Sequence, residues 1–128
     1  MNFAASLNAA RILVAENNHA RLDQTAEILQ RAGYNVHKAY YAEDVTFALE
    51  YSDFALVLVD VTLTGSNGQV LVDHMGQQAK PVDWIALIDE RGRNPDDLLR
   101  KGAAAYVRCP FSAEALLRQV ENVLQGEY

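Results

Sequence analysis

One acidic residue stands directly behind an apolar run in the middle of the chain. Residues 54–59 are apolar, and Asp60 follows them at once, ahead of a turn rich in Thr and Gly. An aspartate in this position can act as a nucleophile toward a phosphoryl group. Its side chain can equally cap the turn that follows the strand. The residues around Asp60 leave both roles open.

A second polar cluster follows the first apolar run of the chain. Glu16, Asn17 and Asn18 come directly after residues 11–15. Carboxylate and amide oxygens are ligands that a hard cation such as Mg²⁺ prefers, and bound Mg²⁺ lets a phosphate dianion approach an aspartate. If the two strand ends meet, they form an oxygen-rich pocket suited to phosphoryl chemistry, which favours the nucleophile role of Asp60.

The elements that must position these residues alternate along the chain. Short apolar runs predict strands, and the segments between them carry apolar residues at helical spacing. This alternation is typical of an α/β fold in which a five-stranded parallel sheet is covered by helices on both faces. Ligands bind at the carboxyl ends of such strands. The predicted strands cover 11–15, 34–39, 54–60, 81–88 and 104–108, and the predicted helices cover 20–33, 42–52, 67–78, 94–102 and 112–125.

Composition narrows the class of protein. The 128 residues are enough for one domain with an ordinary core, and the net charge of −6 disfavours nucleic-acid binding. The lone Cys109 excludes an intrachain disulfide and fits a reducing compartment. The first ten residues lack the pattern of a signal peptide, and no apolar stretch is long enough for a membrane span. We therefore expect a cytoplasmic domain without membrane contact.

Three stretches resemble, in order and spacing, the signatures of response-regulator receiver domains: RILVAENN, LVLVDVTLTGSNG and GAAAYVRCPF. The resemblance covers roughly residues 11–125, so we predict a receiver domain over 11–126 and a lead-in over 1–10. It implies a (βα)5 flavodoxin-like fold, which agrees with the predicted sheet. It also implies a role in two-component phosphorelay signal transduction.

The resemblance assigns roles to individual positions. Asp60 falls on the aspartate that accepts phosphate from a histidine kinase with the help of Mg²⁺. Glu16 and Asn17 fall on the acidic pair of the metal site, and the backbone carbonyl of Thr62 completes that site. The implied partners are proteins, a histidine kinase or an output domain, bound through roughly residues 94–124.

The chain departs from the family at the positions that hold and read the phosphate. Asn17 replaces an acidic metal ligand, so we expect weak Mg²⁺ binding. Leu87 occupies the position of a Ser or Thr that contacts the acyl phosphate, and no Ser or Thr occurs in residues 67–111. Cys109 occupies the position of a lysine and is interpreted as a small buried apolar residue rather than a redox sensor.

Two neighbouring residues of the last strand bear on these losses. Arg108 adjoins Cys109, but successive strand residues point to opposite faces, so Arg108 replaces the lysine only through a slip or bulge. Tyr106 matches the aromatic switch residue of the family, and without its Thr partner we expect it to pack half-buried with a solvated hydroxyl. The bond between Cys109 and Pro110 is a candidate for a cis peptide.

Typical hydrogen-bond energies indicate how these departures would affect switching. Charge-assisted hydrogen bonds contribute roughly 1.5–3 kcal/mol and neutral ones about 0.5–1.5 kcal/mol. Moving a two-state switch from 1:99 to 99:1 takes about 5.5 kcal/mol. The leading hypothesis is therefore a non-enzymatic pseudo-receiver with a degenerate phosphorylation site that signals through protein contacts. The alternative is a conventional Mg²⁺-dependent receiver phosphorylated on Asp60.

A remote alternative comes from a different class of protein. Asp60, Thr62 and Thr64 also fit the D-x-T-x-T nucleophile motif of haloacid-dehalogenase-like phosphatases. Those enzymes need a downstream lysine and acidic pair. Asp89 and Glu90 follow the fourth predicted strand as an acidic pair, but no lysine partner is evident.

Overall fold

The protein folds as a five-stranded parallel sheet with strand order β2-β1-β3-β4-β5. The computed structural model describes residues 10–78, 80–89 and 93–126. The predicted lead-in therefore lies outside the described residues except for Ala10. The strands are β1 (Arg11–Ala15), β2 (Asn35–Ala39), β3 (Leu56–Asp60), β4 (Trp84–Ile88) and β5 (Ala105–Arg108). The helices are α1 (His19–Arg31), α2 (Ala42–Tyr51), a 3₁₀ segment (Leu71–Gln77), α3 (Pro95–Arg100) and α4 (Ala113–Leu124).

Apolar residues cover both faces of the sheet, as the near-continuous apolar strands predict. On one face α1 and α4 pack over alternate residues of the central strands, such as Val14 and Leu58. On the other face α2, the 3₁₀ segment and α3 pack over the intervening residues, such as Leu13 and Val57. The sheet is therefore a buried layer, and its polar side chains can meet a ligand only at its edges.

The register of the strands decides which residues meet at the carboxyl edge. Asp60 lies beside Leu87 in the pairing of β3 with β4, and Leu87 lies beside Val107 in β5. Side chains alternate between faces along a strand. Asp60 and Leu87 therefore point toward the face covered by α1 and α4, and Cys109, two residues beyond Val107, continues that row.

The helix predicted over 67–78 is wrong in type and in its start. The chain instead makes an isolated antiparallel bridge between Thr64 and Val70, and helical structure begins only at Leu71 as a 3₁₀ segment. Gly68 adopts φ 80°, a conformation that closes a turn and that an α-helix does not contain. Asn67 Oδ1 accepts the backbone N–H of Gln69 at 3.0 Å, so this residue holds the turn rather than capping a helix.

The start of α1 is fixed by a side-chain cap. Asn18 Oδ1 accepts the backbone N–H of Arg21 at 3.0 Å. Such caps stabilise a helix by about 1 kcal/mol because they satisfy a free N–H of the first turn. The cap holds Arg21 in the first turn of α1, next to the carboxyl end of β1. No helix within the described ranges is long and apolar enough to cross a membrane.

Candidate functional site

The loops after β1 and β3 bring two carboxyl groups together at the carboxyl edge of the sheet. Glu16 is 1% exposed and Asp60 is 3% exposed. The two groups lie close enough that Asp60 helps to raise the pKa of Glu16. The pair is therefore a buried acidic site in which ionisation of both carboxyl groups together is unfavourable.

Burial is the main cause of a raised pKa at Glu16. Burial, the hydrogen bond with Asp60 and the charge of Asp60 raise the pKa of Glu16 to about 8, while the Asn18 N–H and Arg21 act in the opposite direction. The Asn18 N–H donates to Glu16 Oε1 at 3.2 Å. At neutral pH the Glu16 carboxyl is mostly protonated, so the pair carries less negative charge than two free carboxylates.

Asp60 also caps the turn behind β3. Its Oδ1 accepts the backbone N–H of Thr62 at 2.9 Å and the Thr62 hydroxyl at 2.9 Å. Both bonds use the same carboxylate oxygen, so the turn occupies one side of the group. The two roles considered for Asp60 are therefore compatible, because capping leaves Oδ2 outside these bonds.

Leu87 provides no polar group beside Asp60. It is 1% exposed, and its backbone carbonyl accepts the Val61 N–H at 3.1 Å. Its side chain belongs to the apolar cluster under α1 and α4. Leu87 is therefore part of the apolar core of this chain.

Cys109 ends β5 on the same row and is partly buried against the same apolar cluster. Its N–H donates to the Ile88 carbonyl at 2.7 Å, and its peptide bond to Pro110 is cis, which confirms the prediction for that bond. Burial raises the pKa of the Cys109 thiol, against an opposing effect of Arg21. The thiol is therefore neutral at physiological pH and supplies no cation.

Arg108 and Tyr106 lie together on the opposite side of β5. The Arg108 guanidinium stands 5.7 Å from the centre of the Tyr106 ring. Tyr106 is 37% exposed. Strand alternation directs both away from the row that ends in Cys109. Arg108 therefore contacts Tyr106, with no bulge that turns it toward the acidic pair.

A cation that the sequence reasoning missed approaches the pair from α1. Arg21 Nη1 lies 3.5 Å from Glu16 Oε2, and the Arg21 side chain is 31% exposed. The sequence reasoning sought a cation only at the end of β5, where the family carries its lysine. The available signal was the Asn18 cap, which places Arg21 in the first helical turn beside the end of β1.

The donor chemistry of the pair suits a divalent cation. Glu16 and Asp60 offer buried carboxylate oxygens, the type of ligand that Mg²⁺ takes, once Glu16 releases its proton. Asn17 is exposed at the mouth of the site. No group of three or more His, Cys, Asp or Glu side chains gathers in the described part of the chain. A metal ion here would be held by Glu16 and Asp60, with the Asn17 amide and the Thr62 carbonyl as the remaining protein ligands.

A sequence model described as "Response regulator receiver domain" matches residues 12–121. The chain belongs to the response-regulator receiver domain family. Receiver domains are generally non-enzymatic signalling domains that interact with kinases and effector domains, and they typically bind Mg²⁺ at the phosphorylation site. The prediction of the family is therefore confirmed, and the five-stranded flavodoxin-like fold is confirmed with it.

Individual relatives agree with this assignment. The chain is 28% identical over 122 residues to the aerobic respiration control protein ArcA of Escherichia coli, covering 92% of this chain and 50% of ArcA. It is 24% identical over 120 residues to protein PilH of Pseudomonas aeruginosa, covering 91% of this chain and 99% of PilH. The chain thus spans about half the length of ArcA and nearly all of PilH.

Solved receiver structures share the fold. NtrX from Brucella abortus superposes with a TM-score of 0.82 at 25% identity, over 93% of this chain and 27% of NtrX. The receiver domain of the Francisella response regulator 1452 gives a TM-score of 0.81 at 18% identity, over 93% and 99% of the two chains. At 18% identity, the likeness to the Francisella receiver domain concerns the fold alone.

The phosphatase alternative receives no support from these findings. Thr62 is bound to Asp60, but Thr64 lies in the bridge to Val70 instead of joining the acidic pair. Of the downstream acidic residues, Asp89 is described and Glu90 lies outside the described residues. The family match places the chain among receivers.

Proposed function

We propose that this receiver domain has a muted phosphorylation switch and acts mainly through protein–protein contacts. The observation that carries the proposal is the pairing of Asp60 with Leu87. An apolar side chain stands where a hydroxyl would take hold of a phosphoryl oxygen. Cys109, neutral and partly buried, stands where a lysine would do so.

The loss is comparable to the energy that a switch needs. The missing hydroxyl and lysine would together contribute roughly 3–6 kcal/mol, because both would form hydrogen bonds to a charged phosphoryl oxygen. A complete two-state switch needs about 5.5 kcal/mol of differential stabilisation. Without these bonds, a modification of Asp60 has little effect on the positions of β4 and β5. In this proposal Asp60 can be modified, but the effect of the modification is poorly transmitted to the far surface.

The proposed partner surface is formed by α3, β5 and α4, within roughly residues 94–124. Leu99 is 42% exposed and Tyr106 is 37% exposed, and both lie in this range. Exposed apolar and aromatic side chains are typical anchors of protein interfaces. A histidine kinase or an output domain is the expected class of partner, and the proposed location is cytoplasmic.

A second candidate is the conventional receiver, phosphorylated on Asp60 with Mg²⁺. The observation that favours it is the close, buried pairing of Glu16 with Asp60 at the carboxyl edge. In this alternative the Asn17 amide and the Thr62 carbonyl suffice to complete the metal site.

One experiment separates the two candidates. The domain is titrated with Mg²⁺ and then with fluoroberyllate, and amide chemical shifts are followed at Asp60 and Tyr106. The muted switch predicts changes confined to the loops after β1 and β3, because neither Leu87 nor Cys109 contacts the anion. The Asp60→Asn variant serves as the control for changes that do not depend on the acceptor.

Changes that spread through β5 to Tyr106 in the wild type but not in Asp60→Asn contradict the muted switch. Silence at every residue in millimolar Mg²⁺ and fluoroberyllate contradicts the conventional receiver.

A further inference from the structure

Arg21 occupies a position from which it reaches the acidic pair. The Asn18 cap holds its backbone in the first turn of α1, and its Nη1 lies 3.5 Å from Glu16 Oε2. With its side chain 31% exposed, it has room to move, whereas Glu16 is fixed in the buried pocket. Its positive charge also opposes the rise in the pKa of the Cys109 thiol. The guanidinium therefore lies beside Glu16 at the carboxyl end of β1.

The contact with Glu16 is a weak one in the unmodified protein. At 3.5 Å the N–O distance is longer than the 2.7–2.9 Å of a strong charge-assisted hydrogen bond. Arg21 is thus a cation beside the site that interacts only weakly with Glu16.

A phosphoryl group on Asp60 would offer this cation a better partner. Such a group carries about −1.5 to −2 charge and several strong acceptor oxygens. A planar guanidinium binds two of these oxygens at once, which an ammonium does not. The transfer forms an O–P bond at Asp60 and breaks the bond from phosphorus to the donor, whose leaving group keeps the electron pair. The product is an anion beside α1.

We propose that Arg21 supplies the cation of this receiver, binding an anion docked at Asp60 in place of the lysine of β5. The inference deepens the proposed function, since it rests on Asp60 being able to accept a phosphoryl group or its mimic. In the unmodified protein Arg21 faces Glu16, and with the anion in place it turns to the anion. The consequence of modification is then felt at the first turn of α1.

The test compares the affinities of two probes, Mg²⁺ alone and fluoroberyllate in saturating Mg²⁺, by amide shifts at Asp60. Arg21→Ala is expected to weaken fluoroberyllate binding about tenfold or more, as loss of a charge-assisted bond predicts. Arg21→Lys should fall between Arg21→Ala and the wild type. Mg²⁺ alone should bind Arg21→Ala at least as tightly as the wild type, because a competing positive charge is gone.

Arg31→Ala is the matched control. Arg31 lies at the other end of α1, is 79% exposed and pairs with Glu27 at 2.8 Å. Its removal should leave both affinities unchanged. The amide spectra of all variants establish that they are folded.

A loss of fluoroberyllate affinity without a loss of Mg²⁺ affinity excludes a merely structural role of Arg21. Equal fluoroberyllate affinity in the wild type and Arg21→Ala overturns the inference, and so does a parallel loss of both affinities. Absence of any fluoroberyllate binding to the wild type also overturns it, while the muted switch survives that result. Shifts that reach Tyr106 refute the muted switch but leave the role of Arg21 intact.

Discussion

At the scale of single residues, the site is governed by the burial of Glu16 against Asp60. A carboxyl group 1% exposed beside a second carboxyl keeps its proton well above the ordinary range, with a pKa of about 8. Arg21 opposes this effect without cancelling it. A cation that takes Glu16 as a ligand must therefore displace its proton.

Glu16 should therefore make the stability of the metal-free protein depend on pH. Its folded pKa of about 8 lies above the ordinary value of 4.5, so the folded state binds more protons between these two values. The stabilisation is complete below about pH 4.5 and is lost as the pH rises through 8. In EDTA, the wild type should lose on the order of a few kcal/mol relative to Glu16→Gln between pH 5 and 9. Urea unfolding at a series of pH values measures this difference.

Glu114→Gln is the control for the pH series. Glu114 is exposed and pairs with Arg118 within one helix, so its removal should leave the pH dependence of the wild type unchanged. Parallel stability curves for the wild type and Glu16→Gln would show that Glu16 is not the titrating group.

At the scale of elements, the short helix α3 is tied to the rest of the molecule through Arg93. The two nitrogens of its guanidinium contact Asp73 at 2.7 Å and Asp97 at 2.8 Å, and so join the 3₁₀ segment to α3. These bonds lower the pKa of Asp73. Leu98 anchors α3 from below, fully buried, while Leu99 faces outward. These ion pairs and the buried Leu98 thus hold α3, which is part of the proposed partner surface, against the rest of the molecule.

The partner surface can be tested against another exposed apolar patch of the same molecule. Leu99→Ala combined with Tyr106→Ala should weaken capture of partner proteins from an extract of the source cells about fivefold or more, because exposed anchors carry much of the binding energy. Phe47→Ala combined with Tyr51→Ala is the matched control. These two rings are 64% and 68% exposed on α2 and lie outside the proposed surface. Capture is measured by quantitative mass spectrometry.

A loss of partners confined to the α2 double variant would place the docking surface on α2. Equal capture by both double variants would also contradict a surface formed by α3, β5 and α4.

At the scale of the whole molecule, the central question is how a change at Asp60 would travel across the sheet. β3, β4 and β5 are contiguous, with Leu87 paired between Asp60 and Val107. Leu87 and Val107 belong to the apolar core cluster under α1 and α4. On the proposed function, a change at Asp60 finds no polar side chain at Leu87 through which to move β5.

Introducing a hydroxyl and a lysine at these positions should allow a change at Asp60 to reach Tyr106. The double variant Leu87→Thr with Cys109→Lys places a hydroxyl beside Asp60 and an ammonium at the end of β5. We expect fluoroberyllate in Mg²⁺ to shift the Tyr106 amide in this variant and not in the wild type. The cost is about 2–4 kcal/mol of stability, because a buried leucine is lost from the core. Circular dichroism and urea unfolding verify that the variant remains folded.

Leu87→Val with Cys109→Met is the matched control, since it changes the same positions without adding a hydroxyl or a positive charge. A folded Leu87→Thr, Cys109→Lys variant that binds fluoroberyllate but leaves Tyr106 unmoved would mean that these positions do not explain the muted switch.

The sequence was sufficient for the fold and for the location of the acidic pair. Apolar runs of strand length, each followed by a helical pattern, allow few arrangements other than a covered parallel sheet. In such a sheet Glu16 and Asp60, each directly behind a strand, must meet at one edge. The segment 67–78 was misjudged because its apolar residues suit an α-helix, whereas the turn at Gly68 and the Thr64–Val70 bridge depend on contacts across the loop.

From the sequence alone we interpret Asp60 as the acceptor aspartate, and Leu87 and Cys109 as the positions of the missing hydroxyl and lysine, because the resemblance depends on residue identity at fixed spacing. Only the tertiary structure decided the charge state of the site. The pKa of Glu16 depends on burial beneath α1 and on its distance from Asp60, and the approach of Arg21 depends on where the first turn of α1 rests on the sheet. Electrostatic interactions follow distances and burial, which a linear sequence does not contain.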